Sequence, residues 1–295
     1  MGSSPHTPGG ARAASRRPQP RGRRRARRPP RRRGGSDLGQ RVLVALPLIA
    51  IALFLVITGG WVFAVGLFVF GAICMHELFE MYAGAHPVRL AAFLALAGLL
   101  AAGALGGPTQ VLLATVLSLP FVFAVGLALP RASVASLAIT MLGIVWIGLA
   151  LAHAVMLRGL AHGEGIVLDV AVGAFVCDTF AYFGGRAFGS RRLAPAISPS
   201  KTVEGLLIGM LAAVAAVWIA GRYQEWLPGH TALLLGVGVA VTAPIGDLFE
   251  SFVKREADAK DSGTLFRSHG GVLDRIDGLL FAVVAGYYIW LAHLH

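Results

Sequence analysis

Polar side chains recur at regular intervals along residues 246–261, GDLFESFVKREADAKD, directly after a long apolar run. Six of them stand at offsets of 0, 3, 4, 7, 11 and 14 residues: Asp247, Glu250, Ser251, Lys254, Asp258 and Asp261. These offsets trace one face of an α-helix. Ionisable residues in an apolar helix usually mark a binding site, a relay or a structural ion pair. An i,i+4 ion pair between Glu250 and Lys254 explains two of the six and leaves Asp247 and Ser251 unexplained.

A second polar group follows in residues 260–278, KDSGTLFRSHGGVLDRIDG, where a glycine pair precedes Asp274 and Asp277. Carboxylates stabilise a helix N-terminus, which is the structural explanation for this pair. Oxygen ligands from two helices, Asp247 and Asp274, are also what a Mg²⁺ bound to substrate phosphates requires. Nearby cations suited to phosphate oxygens are Lys254, Arg255, Lys260 and Arg275. His269 could polarise a phosphate, order the turn or hydrogen-bond a carboxylate, and the sequence leaves these roles open.

The third group lies in residues 178–205, where Asp178 and Tyr182 are one helical turn apart in an apolar segment. SPSKT, residues 198–202, is typical of a helix start, with Ser198 as N-cap and Pro199 in the first position. Free N–H groups, hydroxyls and a lysine there would suit a phosphate. The predicted substrate-binding residues between 178 and 205 are Asp178, Tyr182, Ser198, Ser200, Lys201 and Thr202. No Walker A loop is present.

The elements that must position these groups are membrane helices. The 295-residue chain is 56% hydrophobic and only 14% charged, with a mean hydropathy of +0.70, which predicts an all-α polytopic integral membrane protein. About nine transmembrane helices are expected. Their approximate spans are 42–58, 61–82, 88–106, 109–129, 134–156, 166–185, 203–221, 231–252 and 278–294. Cys74 and Cys177 sit in apolar segments and are expected to be core residues.

The net charge of +11 comes from one end of the chain. Thirteen of the 26 Lys and Arg residues fall in residues 1–41, and the remainder is close to neutral. Arg, Pro and Gly dominate this segment, so residues 1–40 are predicted to be a disordered cytoplasmic arm that touches anionic lipids and, lacking interleaved aromatics, binds no nucleic acid. Residues 41–160 would form N-terminal membrane helices, and residues 161–295 a catalytic membrane region.

The predicted spans can be tested against loop charge, because cytoplasmic loops are rich in Lys and Arg. With the arm in the cytoplasm, that side receives eleven further basic residues, and the opposite side receives only Arg158 and Arg222. The two longest loops on the basic side carry most of the polar chemistry. The sequence therefore predicts a multi-pass protein of the cell membrane whose N-terminus and active site face the cytoplasm.

Taken together, the motifs resemble those of the phosphatidate cytidylyltransferases, also called CDP-diacylglycerol synthases. The family's C-terminal pattern is matched, at the same spacings, by Ser251, Lys254-Arg255, Lys260-Asp261, His269-Gly270-Gly271, Asp274-Arg275 and Asp277. SPSKTVEG and GDLFES also resemble family segments, so the resemblance covers roughly residues 178–290. One departure is Arg267, which stands two residues ahead of the histidine, where the family usually has Pro or Gly.

The resemblance implies transfer of the cytidylyl group of CTP to phosphatidic acid, with release of pyrophosphate. By resemblance, Asp247 and Asp274 would hold catalytic Mg²⁺, with Asp277 and Asp261 as secondary ligands. Ser251, Lys254 and Lys201 would contact phosphates, and Arg275 would neutralise charge. The sequence does not specify whether a second cation joins Mg²⁺, whether the chain forms a homodimer, or which acyl chains are preferred.

Two other functions remain in competition at the level of sequence. An ion-coupled transporter could use Asp178, Asp247 and Glu250 as an intramembrane relay, but it predicts carboxylates at the bilayer midplane rather than at one face. Cytidylyl transfer to a different lipid phosphate is the nearer alternative. Its specificity would reside in apolar walls that resemble any other membrane span.

Overall fold

The computed structural model describes residues 36–259, 262–263 and 270–295, with side chains from residue 46 onward. Residues 1–35 of the basic arm lie outside the described residues, and so do Lys260, Asp261 and His269. Ten α-helices and two short strands follow one another in the described residues: α1 Ser36–Thr58, α2 Gly60–Met81, α3 Arg89–Leu105, α4 Pro108–Leu127, α5 Val134–Gly143, α6 Leu149–Gly159, α7 Gly163–Phe188, β1 Arg192–Ala194, β2 Ser198–Thr202, α8 Val203–Gly221, α9 Gly229–Glu256 and α10 Leu273–Leu294. A π-helical segment, Ile144–Gly148, joins α5 to α6.

Seven helical segments of the described chain are long and apolar enough to cross a membrane, α5 and α6 counting as one span, Val134–Gly159. Two shorter apolar helices, Leu46–Thr58 and Arg89–Leu105, lie where the other two of the nine predicted spans were expected. The all-α, multi-pass membrane prediction is confirmed, whereas the count of nine is not reproduced in full. Helix α1 begins at Ser36, inside the segment that the sequence assigned to the arm.

The compact part of the chain is the unit Leu43–His295; the unit before it, Met1–Val42, contributes only the opening of α1 to the described residues. Within Leu43–His295 the most extensive helix contacts join α7 to α8, α9 to α10 and α8 to α9. Many apolar side chains, among them Leu112, Val116, Phe180 and Leu211, remain exposed on the outer surface, as lipid-facing residues do. Cys74 and Cys177 are buried free thiols, as predicted.

Helices α7 and α8 pack with their backbones close together. A Cβ atom at Gly205 would lie 2.5 Å from the carbonyl oxygen of Ala181, and one at Gly209 would lie 2.5 Å from the carbonyl oxygen of Cys177. Two small residues four positions apart allow this approach. The contact fixes the start of α8, and therefore the strand β2 that precedes it.

Substituting Gly205→Ala is expected to destabilise the protein by about 1–3 kcal/mol, because the added methyl group meets backbone that cannot move aside cheaply. Thermal unfolding in detergent measures the effect. Gly98→Ala is the matched control, since it places the same methyl group in a helix where nothing lies within 4 Å. Equal unfolding midpoints for the two variants would contradict the packing argument.

The prediction that SPSKT begins a helix is wrong. Residues Ser198–Thr202 form strand β2, which pairs antiparallel with β1 through Ala194↔Ser198 and Arg192↔Thr202. Thr202, not Ser198, caps α8: its backbone is extended, and its hydroxyl accepts a hydrogen bond from the Gly205 N–H at 3.1 Å. Pairing with β1 satisfies the backbone groups that a helix would otherwise have used. Lys201 consequently projects from a strand.

The ribbon of β1 and β2 is attached to α8 by Glu204. Its carboxylate accepts hydrogen bonds from the Ser190 hydroxyl at 2.6 Å and the Ser190 N–H at 3.0 Å. The N–H of Arg191 lies 3.2 Å from both carboxylate oxygens. An acidic residue in the first turn of a helix is also favourable to the helix dipole. Glu204 thus closes the loop that carries Lys201.

Candidate active site

A cavity of about 540 Å³ opens at one end of the helices α7, α9 and α10 and is closed on one side by β2. Each element contributes polar side chains to its wall: Asp178, Tyr182 and Arg186 from α7, Ser200, Lys201 and Thr202 from β2, Asp247 from α9, and Asp274, Arg275 and Asp277 from α10. Apolar residues, including Phe175, Leu206 and Leu279, complete the lining. Cations and carboxylates therefore meet in one half-apolar chamber.

Three carboxylates form an acid cluster, which we define as Asp247, Glu250 and Asp277. One oxygen from each lies within 4.8 Å of the others. Two glycines explain the approach: a Cβ at Gly246 would lie 2.5 Å from the carbonyl oxygen of Asp277, and a Cβ at Gly278 would lie 3.0 Å from that of Ala243. Each glycine is the immediate neighbour of an acid, so the closest contact of α9 and α10 places the acids together.

Two lysines compensate part of this charge. Lys201 forms an ion pair with Asp247. The Nζ atom of Lys254 lies 2.5 Å from Glu250 and 2.6 Å from Asp274, so the predicted i,i+4 pair is confirmed and extended to a second carboxylate. The acid cluster and Asp274 carry four negative charges when ionised, against the two positive charges of the lysines that contact them.

The residues of the acid cluster fit a hard divalent cation. Glu250 is 1% exposed, and its Oε1 accepts no hydrogen bond from the described part of the chain. A buried carboxylate oxygen without a donor is costly unless a cation completes it. Hard oxygen donors from separate helices are the ligands that Mg²⁺ takes in phosphate-handling sites.

Asp274 is placed differently from the acid cluster. Its carboxylate accepts hydrogen bonds from the Gly271 N–H at 2.7 Å, the Ser262 hydroxyl at 2.9 Å and the Ser262 N–H at 3.0 Å, besides Lys254. It closes the turn in which Gly270 adopts φ +81°, a conformation that favours glycine. Asp274 still lines the cavity, and its role as a metal ligand stays a prediction.

A model of the cytidylyltransferase family matches residues 39–293. The phosphatidate cytidylyltransferase of Bacillus subtilis (strain 168) is 30% identical over 269 residues, which are 86% of this chain and 97% of that protein. The chain belongs to the cytidylyltransferase family. It is also similar to the phosphatidate cytidylyltransferases of Haemophilus influenzae, at 42% identity over 127 residues, and of Thermotoga maritima, at 38% over 134 residues. Those two matches span 41% and 43% of this chain, and 44% and 50% of the relatives.

Several residues that the sequence assigned to the cytidylyltransferase site lie outside the cavity wall. Ser251 follows the acid cluster on α9 and is half-buried, and Ser198 is buried at the start of β2. Arg255 is exposed; it donates 3.3 Å hydrogen bonds to the carbonyl oxygens of Ile197 and Ala259. These contacts join the end of α9 to the ribbon, and the substrate-binding roles of the three residues stay predictions.

Two residues at the site were missed by sequence reasoning. Glu250 was interpreted as the ion-pair partner of Lys254 or as part of a transporter relay, and not as a metal ligand, although it shares one helix face with Asp247. Arg186 was counted only as loop charge, yet it lines the cavity one turn beyond Tyr182, whose hydroxyl lies 3.3 Å from its guanidinium. For both residues the sequence offered one signal, which was helical spacing: Glu250 stands three residues after Asp247, and Arg186 stands four residues after Tyr182.

Proposed function

We propose that this protein transfers the cytidylyl group of CTP to phosphatidic acid, giving CDP-diacylglycerol and pyrophosphate. The observation that carries the proposal is the single chamber whose wall holds Asp247 and Asp277 of the acid cluster together with Lys201, Arg186 and Arg275. Family membership and the similarity to phosphatidate cytidylyltransferases support the same reaction. An oxygen of the lipid phosphate would form a bond to the α-phosphorus of CTP. The bond from that phosphorus to the oxygen that bridges to the β-phosphate would break, and pyrophosphate would leave.

Positioning and charge neutralisation are the main tasks in such a transfer. Lys201, Arg186 and Arg275 are the cations of the described cavity wall, and they would bind phosphate oxygens of the two anionic substrates. Asp247, Glu250 and Asp277 would hold Mg²⁺, which when bound neutralises charge on the triphosphate and its leaving group. The lipid phosphate is already an anion at neutral pH, so no side chain needs to act as a general base.

The apolar wall of the cavity suits a lipid substrate. Phe175 and Tyr182 line the cavity, and their side chains are 54% and 59% exposed. A diacyl lipid could therefore keep its chains in the bilayer while its headgroup enters between α7 and α10. Soluble CTP would enter from the open end beside the ribbon.

We further propose that the cavity faces the cytoplasm. Arg186, Lys201 and Arg275 lie at the cavity end of the helices, whereas Arg158 and Arg222 end α6 and α8 at the opposite end. An excess of basic residues marks the cytoplasmic side of a membrane protein. CTP, a soluble nucleotide, is handled on that side.

The test is synthesis of CDP-diacylglycerol by purified protein in lipid nanodiscs. Product is expected only when CTP, phosphatidic acid and Mg²⁺ are present together, and not with ATP, GTP or UTP, or after chelation of the metal. Parallel reactions with lysophosphatidic acid and a polyprenyl phosphate test the alternative acceptors. Faster cytidylyl transfer to either of these, or pyrophosphate release without any lipid phosphate, would overturn the proposed function.

A further inference from the structure

A buried carboxylate from the N-terminal half of the chain contacts the start of α10. Glu77 lies on α2 and is 5% exposed. Its carboxylate accepts hydrogen bonds from the N–H groups of Val272 and Leu273, both at 2.9 Å. The first N–H groups of a helix have no partner inside the helix and need one from outside. The Val272 side chain makes no cap hydrogen bond, so a residue 195 positions earlier supplies the acceptor instead.

The chain around this contact is shaped to fit the carboxylate. A Cβ at Gly271 would lie 2.3 Å from Oε2 of Glu77, and a Cβ at Gly263 would lie 2.8 Å from Oε1. Any other residue at either position would displace the carboxylate. The two glycines, which belong to the polar segment before α10, are therefore matched to a side chain on a different helix.

A continuous series of polar contacts runs from Glu77 to the acid cluster. The Ser262 hydroxyl lies 3.3 Å from Glu77 Oε2 and 2.9 Å from Asp274 Oδ2. Asp274 in turn accepts a hydrogen bond from Lys254, which is paired with Glu250. Glu77 also holds the first N–H groups of α10 and thereby fixes the position of this helix along its own axis. That position determines where Asp277 lies.

We infer that Glu77 is a positioning residue for the metal-binding acid cluster. Glu77 is not part of the described cavity wall, and it acts by fixing the start of α10 and, through Ser262, the orientation of Asp274 and Lys254. This inference rests on the proposed function for its effect on turnover, but its effect on metal affinity does not require that function. Groups that orient metal ligands typically change metal affinity or activity by about 10- to 100-fold when mutated.

The variant Glu77→Gln tests the inference, because it keeps the shape of the side chain but turns one acceptor into a donor facing backbone N–H groups. Mn²⁺ affinity, measured by electron paramagnetic resonance without CTP or lipid, is expected to fall about 10- to 100-fold. The kcat is expected to fall by a similar factor, with a much smaller change in the KM for CTP. Glu80→Gln is the matched control: Glu80 lies three residues along α2, is exposed and is paired with Arg89 at 2.7 Å.

A lower unfolding temperature with unchanged Mn²⁺ affinity and unchanged kcat per folded molecule would show that Glu77 is merely structural and would overturn the inference. If Glu77→Gln does not fold, Ser262→Ala carries the test, since it removes the bridge to Asp274 and leaves the contacts to Val272 and Leu273. Unchanged Mn²⁺ affinity in that variant would also overturn the inference. Wild-type protein that binds Mn²⁺ but makes no CDP-diacylglycerol would refute the proposed function alone, and the binding comparison would still decide the role of Glu77.

Discussion

Asp247→Asn is expected to lower the rate of CDP-diacylglycerol synthesis by about 10²- to 10³-fold, the range seen when one preorganised electrostatic contact is removed from an active site. Asparagine keeps the size of the side chain but loses its charge. The acid cluster then has two carboxylates instead of three, and Lys201 loses its ion-pair partner. The measurement is the initial rate of product formation from labelled CTP in nanodiscs, over a series of Mg²⁺ concentrations.

Asp169→Asn is the matched control for this substitution. Asp169 is a buried aspartate on α7 that lies outside the cavity wall and accepts a hydrogen bond from Gln224 at 3.0 Å. Its amide variant is expected to retain turnover. Wild-type turnover by Asp247→Asn at ordinary Mg²⁺ concentrations would remove Asp247 from the metal site and leave Glu250 as the α9 carboxylate of the acid cluster.

Lys254→Met is expected to destabilise the protein by about 3–5 kcal/mol, because removing one member of a buried ionic group leaves the remaining charges uncompensated. The Lys254 side chain is 14% exposed and contacts both Glu250 and Asp274. Methionine can occupy the space of the aliphatic stem without supplying the charge. Thermal unfolding in detergent, monitored by tryptophan fluorescence, measures the loss.

A double variant separates charge from packing. Adding Glu250→Gln to Lys254→Met removes the orphaned carboxylate, so part of the lost stability is expected to return while synthesis stays low. Arg255→Met is the matched control, because it makes a similar change, from a cation to methionine, at the next residue of α9. Arg255 is exposed, and surface substitutions usually change stability by about 0.5 kcal/mol or less. If the double variant were less stable than Lys254→Met alone, coupling between Lys254 and Glu250 would not explain the effect.

Hydropathy was sufficient to predict most of the helices. The predicted span 203–221 coincides with α8, and 61–82 differs from α2 by one residue at each end. Membrane helices follow directly from composition, because unpaired backbone groups are not tolerated in lipid. A further departure is α10, which begins at Leu273 whereas the predicted span begins at residue 278, because Asp274 and Asp277 lie in the helix ahead of its apolar part.

Details of the site depended on contacts that the sequence pattern does not contain. Both Asp274 and Asp277 are plausible ligands by spacing, and the choice between them depends on the rotation of α10, which the contact of Gly246 with Gly278 determines. The strand at SPSKT arises from pairing with β1, which overrides a local helix-start signal. The role of Glu77 was invisible because its partners lie 195 and 196 residues away.

The ion pair of Lys201 with Asp247 joins the ribbon to α9 in the wall of the cavity. In this arrangement each residue blocks the other from a ligand of opposite charge. A phosphate that draws Lys201 away leaves Asp247 without a partner, and a cation that recruits Asp247 does the same to Lys201. A nucleotide that carries its own cation supplies a phosphate for Lys201 and a positive charge for Asp247 at the same time. Binding of the nucleotide and of the cation is therefore expected to show positive thermodynamic linkage. The pair would thereby favour the metal-complexed nucleotide over either component alone, before any chemistry begins.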